Sequence, residues 1–264
     1  MRTSQFHEVK TRQEASTTIM WLTGWSMSEK VFDPMRELLP DFHHISVDYS
    51  EAGSPEEMLV LIETVAKNIL SSNGIAAHSR GDGRRLLICG WSLGGLLALQ
   101  LAAKGYGDGL VLFAANARFT RTKEEMDLGW SVAAIQQMMI GLRKNPQEVV
   151  TRFRQNLFRE TEIRAGAGLG SELPFVGNWT ITGLISGLQI LRSEEVLTKL
   201  PIIACPVLVV HGTEDKICPY SAALELVAGL PQAELLTIPD CGHVPFWDRE
   251  SAIVDTLRRW WHEH

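Results

Sequence analysis

Short apolar segments alternate with longer amphipathic segments along the first part of the chain. Residues 17–22 are rich in β-branched and aromatic side chains, which is typical of a strand. The apolar segments 86–90 and 109–114 also have the length of strands, and a long helix is predicted between them from Ser92 onward. Continuously apolar strands separated by helices indicate a parallel sheet covered on both faces, so the sequence predicts an α/β fold.

The same alternation returns near the end of the chain, where Trp260 and Trp261 are expected to pack the last helix onto the sheet. Loops are predicted at 71–83 and at the glycine-rich segment 165–170, which is the best candidate for a mobile connection. The other predicted elements are a helix from the N-cap Ser28 to about Pro40, a strand over 44–49, a helix from Ser54 and Pro55, a strand over 206–210, a helix over 221–229, a strand over 233–238 and a helix over 251–262.

The alternation stops in the middle of the chain, where only helical periodicity remains. The sequence predicts helices alone there, over 123–144, 146–160 and 179–197. The simplest interpretation is a helical cap inserted above the carboxyl-terminal edge of the sheet, where open α/β sheets bind ligands. The predicted units are a core of residues 1–116 and 201–264 and a cap of residues 117–200.

Composition fits one large globular domain with an insertion and limits the partners. Of 264 residues, 45% are hydrophobic and 21% are charged, which argues against disorder. The net charge of −6 gives no reason to expect a nucleic acid, whose binding depends on a concentrated positive field. No apolar stretch has the length of a bilayer span, so we expect no membrane partner.

The first 18 residues mix acidic and basic side chains, and the apolar run that follows, residues 19–22, has only the length of a strand. No signal peptide is therefore predicted, and we expect a cytoplasmic protein that acts as a monomer. In that compartment cysteines without a C-x-x-C spacing are expected to be reduced thiols. No metal-ligand set and no phosphate-binding G-x-x-x-x-G-K occurs, so no metal and no cofactor are predicted. The four cysteines are Cys89, Cys205, Cys218 and Cys241.

The strongest chemical signal is the G-x-S-x-G pentapeptide Gly90-Trp91-Ser92-Leu93-Gly94. The pattern alone is weak, because a chain of this size shows it by chance about one time in ten. Here it stands between an apolar strand and a helix, which is the place of a nucleophile elbow with a tight turn and an exposed hydroxyl. Ser92 is the predicted nucleophile, and a serine N-cap in a plain glycine-rich turn is the alternative.

Serine is a poor nucleophile without a base, and the predicted base is His243. It follows the last predicted strand, flanked by a glycine and an apolar run. A loop histidine with only local hydrogen bonds is the alternative interpretation. The other candidate base, His211, precedes the acid in the chain, which is the wrong order for the fold in which such elbows occur.

The residue that orients the histidine should follow the strand 206–210, and Asp215 and Glu214 both stand there. The loop after 109–114 offers Asn116 and no carboxylate. A carboxylate at the predicted position would fix the histidine tautomer and stabilise the imidazolium formed during reaction.

Acyl transfer also needs hydrogen-bond donors for the developing oxyanion. The N–H of Leu93, directly after the nucleophile, is one predicted donor. The other is the N–H of Trp25, in the loop after the first strand, where Gly24 lets the backbone turn inward. A plain turn after a strand is the alternative interpretation.

Together these residues resemble the α/β-hydrolase family over essentially the whole chain. The loops H-G-x-x-D-x-x-x-P at 211–219 and G-H-x-P-F at 242–246 are typical of that family, and the first selects Asp215 as the acid. Within the family, segments 24–27 and 90–95 most resemble the pimeloyl-carrier-protein methyl ester esterases of biotin synthesis. The resemblance implies a mostly parallel central sheet with helices on both faces, and a helical cap that binds an acyl chain carried by acyl carrier protein.

The sequence departs from the family pattern in three places. The loop 48–54 lacks the usual D-x-x-G-x-G-x-S, and Thr23 replaces the histidine common before the oxyanion glycine. The leading residues are expected to be too few for the full leading hairpin. None of these departures touches the Ser92, Asp215 and His243 set, but they weaken the assignment of a substrate.

The first half of the predicted cap is basic, with nine Lys or Arg against six Asp or Glu over residues 117–164. Arg152 and Arg159 are seven positions apart and are expected on one face of the helix 146–160. Such a face suits a substrate carboxylate or an acidic carrier protein. A solvated charged face is the alternative.

The sequence therefore predicts a serine carboxylesterase that forms an acyl-enzyme on a small or carrier-bound ester. The best specific prediction is hydrolysis of the pimeloyl-carrier-protein methyl ester. Other reactions on the same fold are the alternatives, namely thioester hydrolysis, lactone hydrolysis or the elimination step of menaquinone synthesis. A non-catalytic ligand-binding protein of the same fold is the alternative from a different class.

Overall fold

The computed structural model describes residues 17–72, 85–164 and 176–264. The predicted loop 71–83 lies outside these ranges except for its first two residues, which end a helix. The predicted mobile connection 165–170 and the leading residues before position 17 lie outside them entirely.

The described strands form one six-stranded sheet and one two-stranded sheet. They are β1 (Thr17–Leu22), β2 (His43–Ser46), β3 (Arg85–Trp91), β4 (Gly109–Phe113), β5 (Thr120–Arg121), β6 (Trp130–Ser131), β7 (Val207–Gly212) and β8 (Ala233–Ile238). The large sheet has the order β2-β1-β3-β4-β7-β8, and all of its neighbouring pairs are parallel. Every residue of β1, β4 and β7 is buried, so both faces of the sheet are covered.

Helices separate the strands of the large sheet, as the alternating pattern predicts. They are α1 (Asp33–Glu37), α2 (Pro55–Ser72), α3 (Leu93–Ala103), α4 (Val132–Lys144), α5 (Pro146–Gln155), α6 (Glu160–Arg164), α7 (Ile181–Ser193), α8 (Tyr220–Gly229) and α9 (Glu250–Glu263), with 3₁₀ turns at Glu29–Phe32, Lys123–Glu125 and Leu197–Ile202. The predicted α/β architecture with a parallel central sheet is confirmed. Within the described residues no helix is both long and apolar enough for a bilayer crossing.

The core elements agree closely with the sequence patterns. Ser28 is an N-cap whose hydroxyl accepts a hydrogen bond from the Lys30 N–H, but it starts the 3₁₀ turn that precedes α1. One face of α2 is apolar and buried, with Ile62, Ala66 and Ile69 in the core and Leu59 partly buried against it. Strand β2 ends at Ser46, three residues earlier than the end predicted for this strand at residue 49.

The order of the strands reverses beside β1, and this reversal sets the place of the site. From β1 the chain moves to one side for β2 and returns to the other side for β3. The loops that follow β1 and β3 therefore flank the topological switch point at the carboxyl ends of the strands. The predicted oxyanion loop and the predicted nucleophile stand on these two loops.

The prediction of helices alone between β4 and β7 is wrong in two places. The predicted helix 123–144 is replaced at its start by a 3₁₀ turn and by β6, which pairs with β5. Helix α4 begins only at Val132, because the Ser131 hydroxyl caps it by accepting a hydrogen bond from the Ala134 N–H. The predicted helix 146–160 stops at Gln155 and a separate short helix, α6, follows.

A buried arginine fastens the base of this inserted segment to the core. Arg121 is 3% exposed, and its guanidinium bonds both carboxylate oxygens of Glu225 on α8. Its Nε also donates to the Arg118 carbonyl over 3.0 Å. This bidentate arrangement is the strong form of a charged hydrogen bond, so it fixes the small sheet β5–β6 against the core.

The indole of Trp261 joins the buried face of the last helix to the sheet. Trp261 is 1% exposed, and its Nε1 donates to the Thr17 hydroxyl of β1 over 3.2 Å. Its ring packs directly on Gly109 of β4, where an added Cβ would overlap it. The Arg85 guanidinium lies 3.7 Å from the ring centroid, which adds a cation–π contact.

We expect Trp261→Ala to lower the free energy of unfolding by about 3–5 kcal/mol, because it leaves a large cavity between α9 and the sheet. Urea unfolding followed by circular dichroism measures the change. His262→Ala alters an exposed neighbour on the same helix and should change stability by less than about 0.5 kcal/mol. Equal losses in the two variants would contradict this account of how α9 is held.

Candidate active site

Ser92 lies on a strained turn between β3 and α3. Its backbone has φ 56° and ψ −116°, a left-handed conformation that is unfavourable for serine. The turn is so tight that a Cβ at Gly90 would overlap the Gly94 carbonyl, and one at Gly94 would overlap the Leu22 carbonyl. The two glycines therefore allow the close approach of β1, β3 and α3 that raises the Ser92 side chain at the end of the sheet.

Three side chains from three loops meet in one line of hydrogen bonds. The Ser92 Oγ lies 2.8 Å from His243 Nε2, although the two residues are 151 positions apart. On the other side of the ring, His243 Nδ1 lies 2.7 Å from Asp215 Oδ2. The tautomer that satisfies both bonds donates from Nδ1 to the carboxylate and accepts at Nε2 from the serine hydroxyl. Ser92 is 6% exposed and His243 is fully buried.

Asp215 is held and ionised by its surroundings. Its Oδ1 accepts hydrogen bonds from the N–H groups of Ile217, over 2.8 Å, and Cys218, over 2.9 Å. Burial alone would raise the pKa of Asp215, but the electrostatic interaction with His243 and hydrogen bonds from His211 and His243 outweigh it and hold this pKa below its usual range. Asp215 therefore stays a carboxylate at neutral pH.

The structure separates the two carboxylates that the sequence placed side by side. Asp215 points inward to His243, whereas Glu214 is exposed. The Glu214 N–H donates to the Cys241 carbonyl over 2.9 Å, which fixes the backbone of the acid loop beside the histidine loop.

His211, the other candidate base, is buried on the far side of Asp215. Its Nε2 lies 2.7 Å from the Cys218 carbonyl and 3.4 Å from Asp215 Oδ2. The ring packs edge-on against Tyr220. His211 thus supports the acid loop, while the hydrogen bond to Ser92 comes from His243.

The backbone of His243 is fixed at both of its polar groups. Its N–H donates to the Leu157 carbonyl over 2.8 Å, and its carbonyl accepts from Trp91 Nε1 over 2.8 Å. The Trp91 ring also packs edge-on against Phe246 in the same loop. Trp91 stands at the variable position of the pentapeptide, and sequence reasoning assigned it no role because its partner is 152 positions away.

Residues between α5 and α6, together with Glu162 of α6, hold the histidine loop from the side of the insertion. Glu162 Oε2 accepts from the Gly242 N–H over 3.1 Å and from the Arg159 N–H over 2.9 Å. The Arg159 side chain pairs with Asp240 over 3.0 Å. Together with the Leu157 carbonyl, these contacts explain why the predicted helix 146–160 is interrupted, since the chain turns there to reach the histidine loop.

The predicted oxyanion donors lie on opposite sides of the switch point. Leu93 N–H is the first N–H of α3, and Trp25 is the second residue of a turn closed by the Met27 N–H and the Gly24 carbonyl over 3.2 Å. Both side chains pack against Gly187 of α7, where an added Cβ would contact them. The role of these two N–H groups as donors to an oxyanion stays a prediction.

The two predicted substrate-binding arginines do not share a helix face. Arg152 lies on α5, is 75% exposed at its side chain and pairs with Glu148 over 2.6 Å. Arg159 follows the end of α5 and binds Asp240. The expectation of one face is wrong because α5 ends at Gln155, and a substrate role for either arginine stays a prediction.

Arg152 borders a groove of about 420 Å³ between α4 and α5. Apolar side chains of Trp130, Met138 and Val149 line it together with Phe153. The Phe153 ring stands edge-on to the indole of Trp25, with centroids 4.9 Å apart. Phe153 therefore lies between the groove and the turn that carries Trp25.

The departures from the family pattern make local contacts of their own. Tyr49, in the unusual loop after β2, donates its hydroxyl to the Thr23 carbonyl directly before the turn that carries Trp25. In the same loop the Ser50 carbonyl accepts from both the N–H and the hydroxyl of Thr180, the N-cap of α7. The loop 48–54 therefore contacts both the start of α7 and the residue before the turn that carries Trp25.

All four cysteines are free thiols. Burial, together with the negative charge of Asp215, raises the pKa of Cys218 well above its usual range, so this thiol stays neutral beside Ser92. Among the residues that the structure describes, no three His, Cys, Asp or Glu side chains are grouped so that they could hold a metal ion.

Comparison with known proteins agrees with this geometry. Residues 20–256 match the family model described as "Alpha/beta hydrolase family". A pimeloyl-[acyl-carrier protein] methyl ester esterase of Nitrosomonas europaea is 30% identical over 233 residues, which cover 86% of this chain and 89% of that protein.

Two solved structures show the same fold at low identity. An esterase of Exiguobacterium antarcticum has a TM-score of 0.73 and 19% identity, and the match covers 92% of this chain and 91% of that one. An enol-lactonase of Burkholderia xenovorans has a TM-score of 0.75 and 17% identity, and the match covers 96% and 94%. At these identities the likeness concerns the fold alone.

The lowered pKa of Asp215 predicts a pH-dependent contribution to stability. A carboxylate whose pKa is lower in the folded chain stabilises the fold above its ordinary pKa of 3.8 and loses this effect as the pH falls toward the folded value. We expect the free energy of unfolding of the wild type, minus that of Asp215→Asn, to decrease as the pH drops below about 4. Urea unfolding from about pH 7 to about pH 3 measures both quantities.

Glu214→Gln is the matched control, because it removes an exposed carboxylate from the same loop. The difference in the free energy of unfolding between the wild type and Glu214→Gln should change little with pH. A difference for Asp215→Asn that grows at low pH would show that the fold does not favour the ionised carboxylate.

Proposed function

This chain belongs to the alpha/beta hydrolase family, and we propose that it is a serine carboxylesterase that works through an acyl-enzyme. The observation that carries the proposal is the line of hydrogen bonds from Ser92 through His243 to Asp215. Such a line supplies a nucleophile, a general base and an acid that orients the base.

In the proposed first step the Ser92 Oγ attacks the ester carbonyl and His243 Nε2 takes the hydroxyl proton. The imidazolium that forms is stabilised by the Asp215 carboxylate, which stays ionised. The N–H groups of Leu93 and Trp25 donate to the oxyanion of the tetrahedral intermediate. His243 then gives its proton to the leaving alcohol, and the acyl group remains on Ser92.

In the second step water replaces the alcohol. His243 removes a proton from the water, the resulting hydroxide attacks the acyl-enzyme, and the same N–H donors bind the new oxyanion. Collapse of this intermediate returns the proton to Ser92 and releases the carboxylate.

We further propose that the substrate is the methyl ester of a pimeloyl chain carried by acyl carrier protein, an ester of biotin synthesis. The relative from Nitrosomonas europaea bears this activity in its name, and it matches most of the chain. The basic side chains at the rim of the groove between α4 and α5, Lys144 and Arg152, support contact with an acidic carrier.

The nucleophile is tested with a fluorophosphonate probe. We expect the wild type to be labelled on Ser92, and Ser92→Ala and His243→Ala to lose labelling and at least about 10³-fold of esterase activity, because each removes a member of the relay. Intact-mass spectrometry and hydrolysis of p-nitrophenyl butyrate measure the two effects. Equal labelling of Ser92→Ala, or an unlabelled wild type, would refute the serine mechanism.

The substrate is tested with a panel of esters graded by acyl length, together with a carrier-bound pimeloyl methyl ester. In the carrier-bound substrate, cleavage of the methyl ester bond and of the thioester bond to the carrier are followed separately. The proposal predicts that kcat/KM is highest for the carrier-bound methyl ester and that methanol is released. Arg152→Glu should lower kcat/KM for the carrier-bound ester by about tenfold and leave that for p-nitrophenyl butyrate unchanged, because only the former needs the carrier. If the thioester bond were cleaved faster than the methyl ester bond, the proposed esterase activity would be wrong and the protein would be a thioesterase.

A further inference from the structure

The turn that carries Trp25 has a conformation that its sequence disfavours. The Met27 N–H donates to the Gly24 carbonyl over 3.2 Å, and Ser26, the third residue, has φ 65°. A positive φ at the third residue, after a negative one at the second, defines a type II turn, which prefers glycine at that position. The chain has serine there instead.

The Ser26 side chain does not compensate for this conformation. Ser26 is 1% exposed, and its Oγ is buried without a hydrogen-bond partner among the residues that the structure describes. The stabilisation therefore comes from the carbonyl of the same residue. This carbonyl accepts from Arg154 Nη2 over 2.8 Å and from the Gly177 N–H over 3.3 Å.

Of these two donors, Arg154 is the charged one. It lies on α5, 128 positions from Ser26, and its side chain is half-buried between the inserted segment and the core. A guanidinium bonded to a carbonyl makes a charge-assisted hydrogen bond, which is stronger than a bond between neutral groups. Burial lowers the pKa of Arg154, but a guanidinium stays protonated at neutral pH.

The direction of the Trp25 N–H depends on this turn. The N–H of Trp25 and the carbonyl of Gly24 belong to one planar trans peptide, so they point in opposite directions. While the Gly24 carbonyl points to the Met27 N–H, the Trp25 N–H points away from the interior of the turn. Opening of the turn at Ser26 would rotate this peptide and misdirect the N–H.

We propose that Arg154 is a positioning residue that holds the turn 24–27 through the Ser26 carbonyl and thereby aims the Trp25 N–H at the reacting oxygen. The inference rests on the proposed esterase function and adds a residue to it. Three positions after Arg154, the Leu157 carbonyl accepts a hydrogen bond from the His243 N–H. The short segment from Arg154 to Leu157 therefore positions both the turn 24–27 and the base.

The test combines Arg154→Gln with Ser26→Gly, because glycine adopts the left-handed conformation without strain. For p-nitrophenyl butyrate, Arg154→Gln should lower kcat by roughly tenfold and change KM by less than about twofold, since an oxyanion donor acts in the transition state. Arg154→Lys keeps the charge with a single donor group and should retain an intermediate kcat. In the Ser26→Gly background the loss caused by Arg154→Gln should shrink to about threefold or less.

Arg259→Gln is the matched control, an exposed arginine on α9 that should leave kcat and KM unchanged. Thermal unfolding of each variant checks that the assays report on folded protein. A wild-type kcat in Arg154→Gln, or an equal loss in the serine and glycine backgrounds, would overturn the role of Arg154 while leaving the esterase proposal intact. A wild type that the fluorophosphonate probe does not label would overturn both.

Discussion

The position of the His243 imidazole is the constraint on which the candidate site depends. A ring that must accept from Ser92 and donate to Asp215 has almost no rotational freedom. The fold supplies this restriction by fixing the backbone as well as the ring, through the Leu157 carbonyl and the Trp91 indole. Four contacts, from residues 91–92, Leu157 and Asp215, therefore converge on one residue.

Backbone strain at Ser92 and hydrogen bonds to Asp215 complete this arrangement. Ser92 keeps a left-handed backbone because the packing of β1, β3 and α3 leaves the chain no other path. Asp215 stays ionised in a buried place because two backbone N–H groups and two histidines surround it. Burial makes each of these polar contacts stronger and makes the loss of any one of them more costly.

The inserted segment is part of the site and not merely a cover. Arg154 reaches the oxyanion turn, Leu157 and Glu162 reach the histidine loop, and Gly187 touches both predicted oxyanion donors. A movement of this segment would therefore disturb the base and the oxyanion turn together.

The sequence by itself determined the parts of the protein that local chemistry encodes. Apolar runs of strand length placed the parallel sheet, and the glycines around Ser92 fixed a turn that few other residues allow, so the α/β fold and Ser92 could be predicted from them. Asp215 was preferred to Glu214 through the resemblance of residues 211–219 to a family loop. The tertiary structure alone decided where α5 ends, which arginine enters the site and which indole holds the base. The physical reason is distance along the chain. Periodicity and turn chemistry act over about ten residues, whereas the Arg154–Ser26 and Trp91–His243 contacts join segments 128 and 152 positions apart.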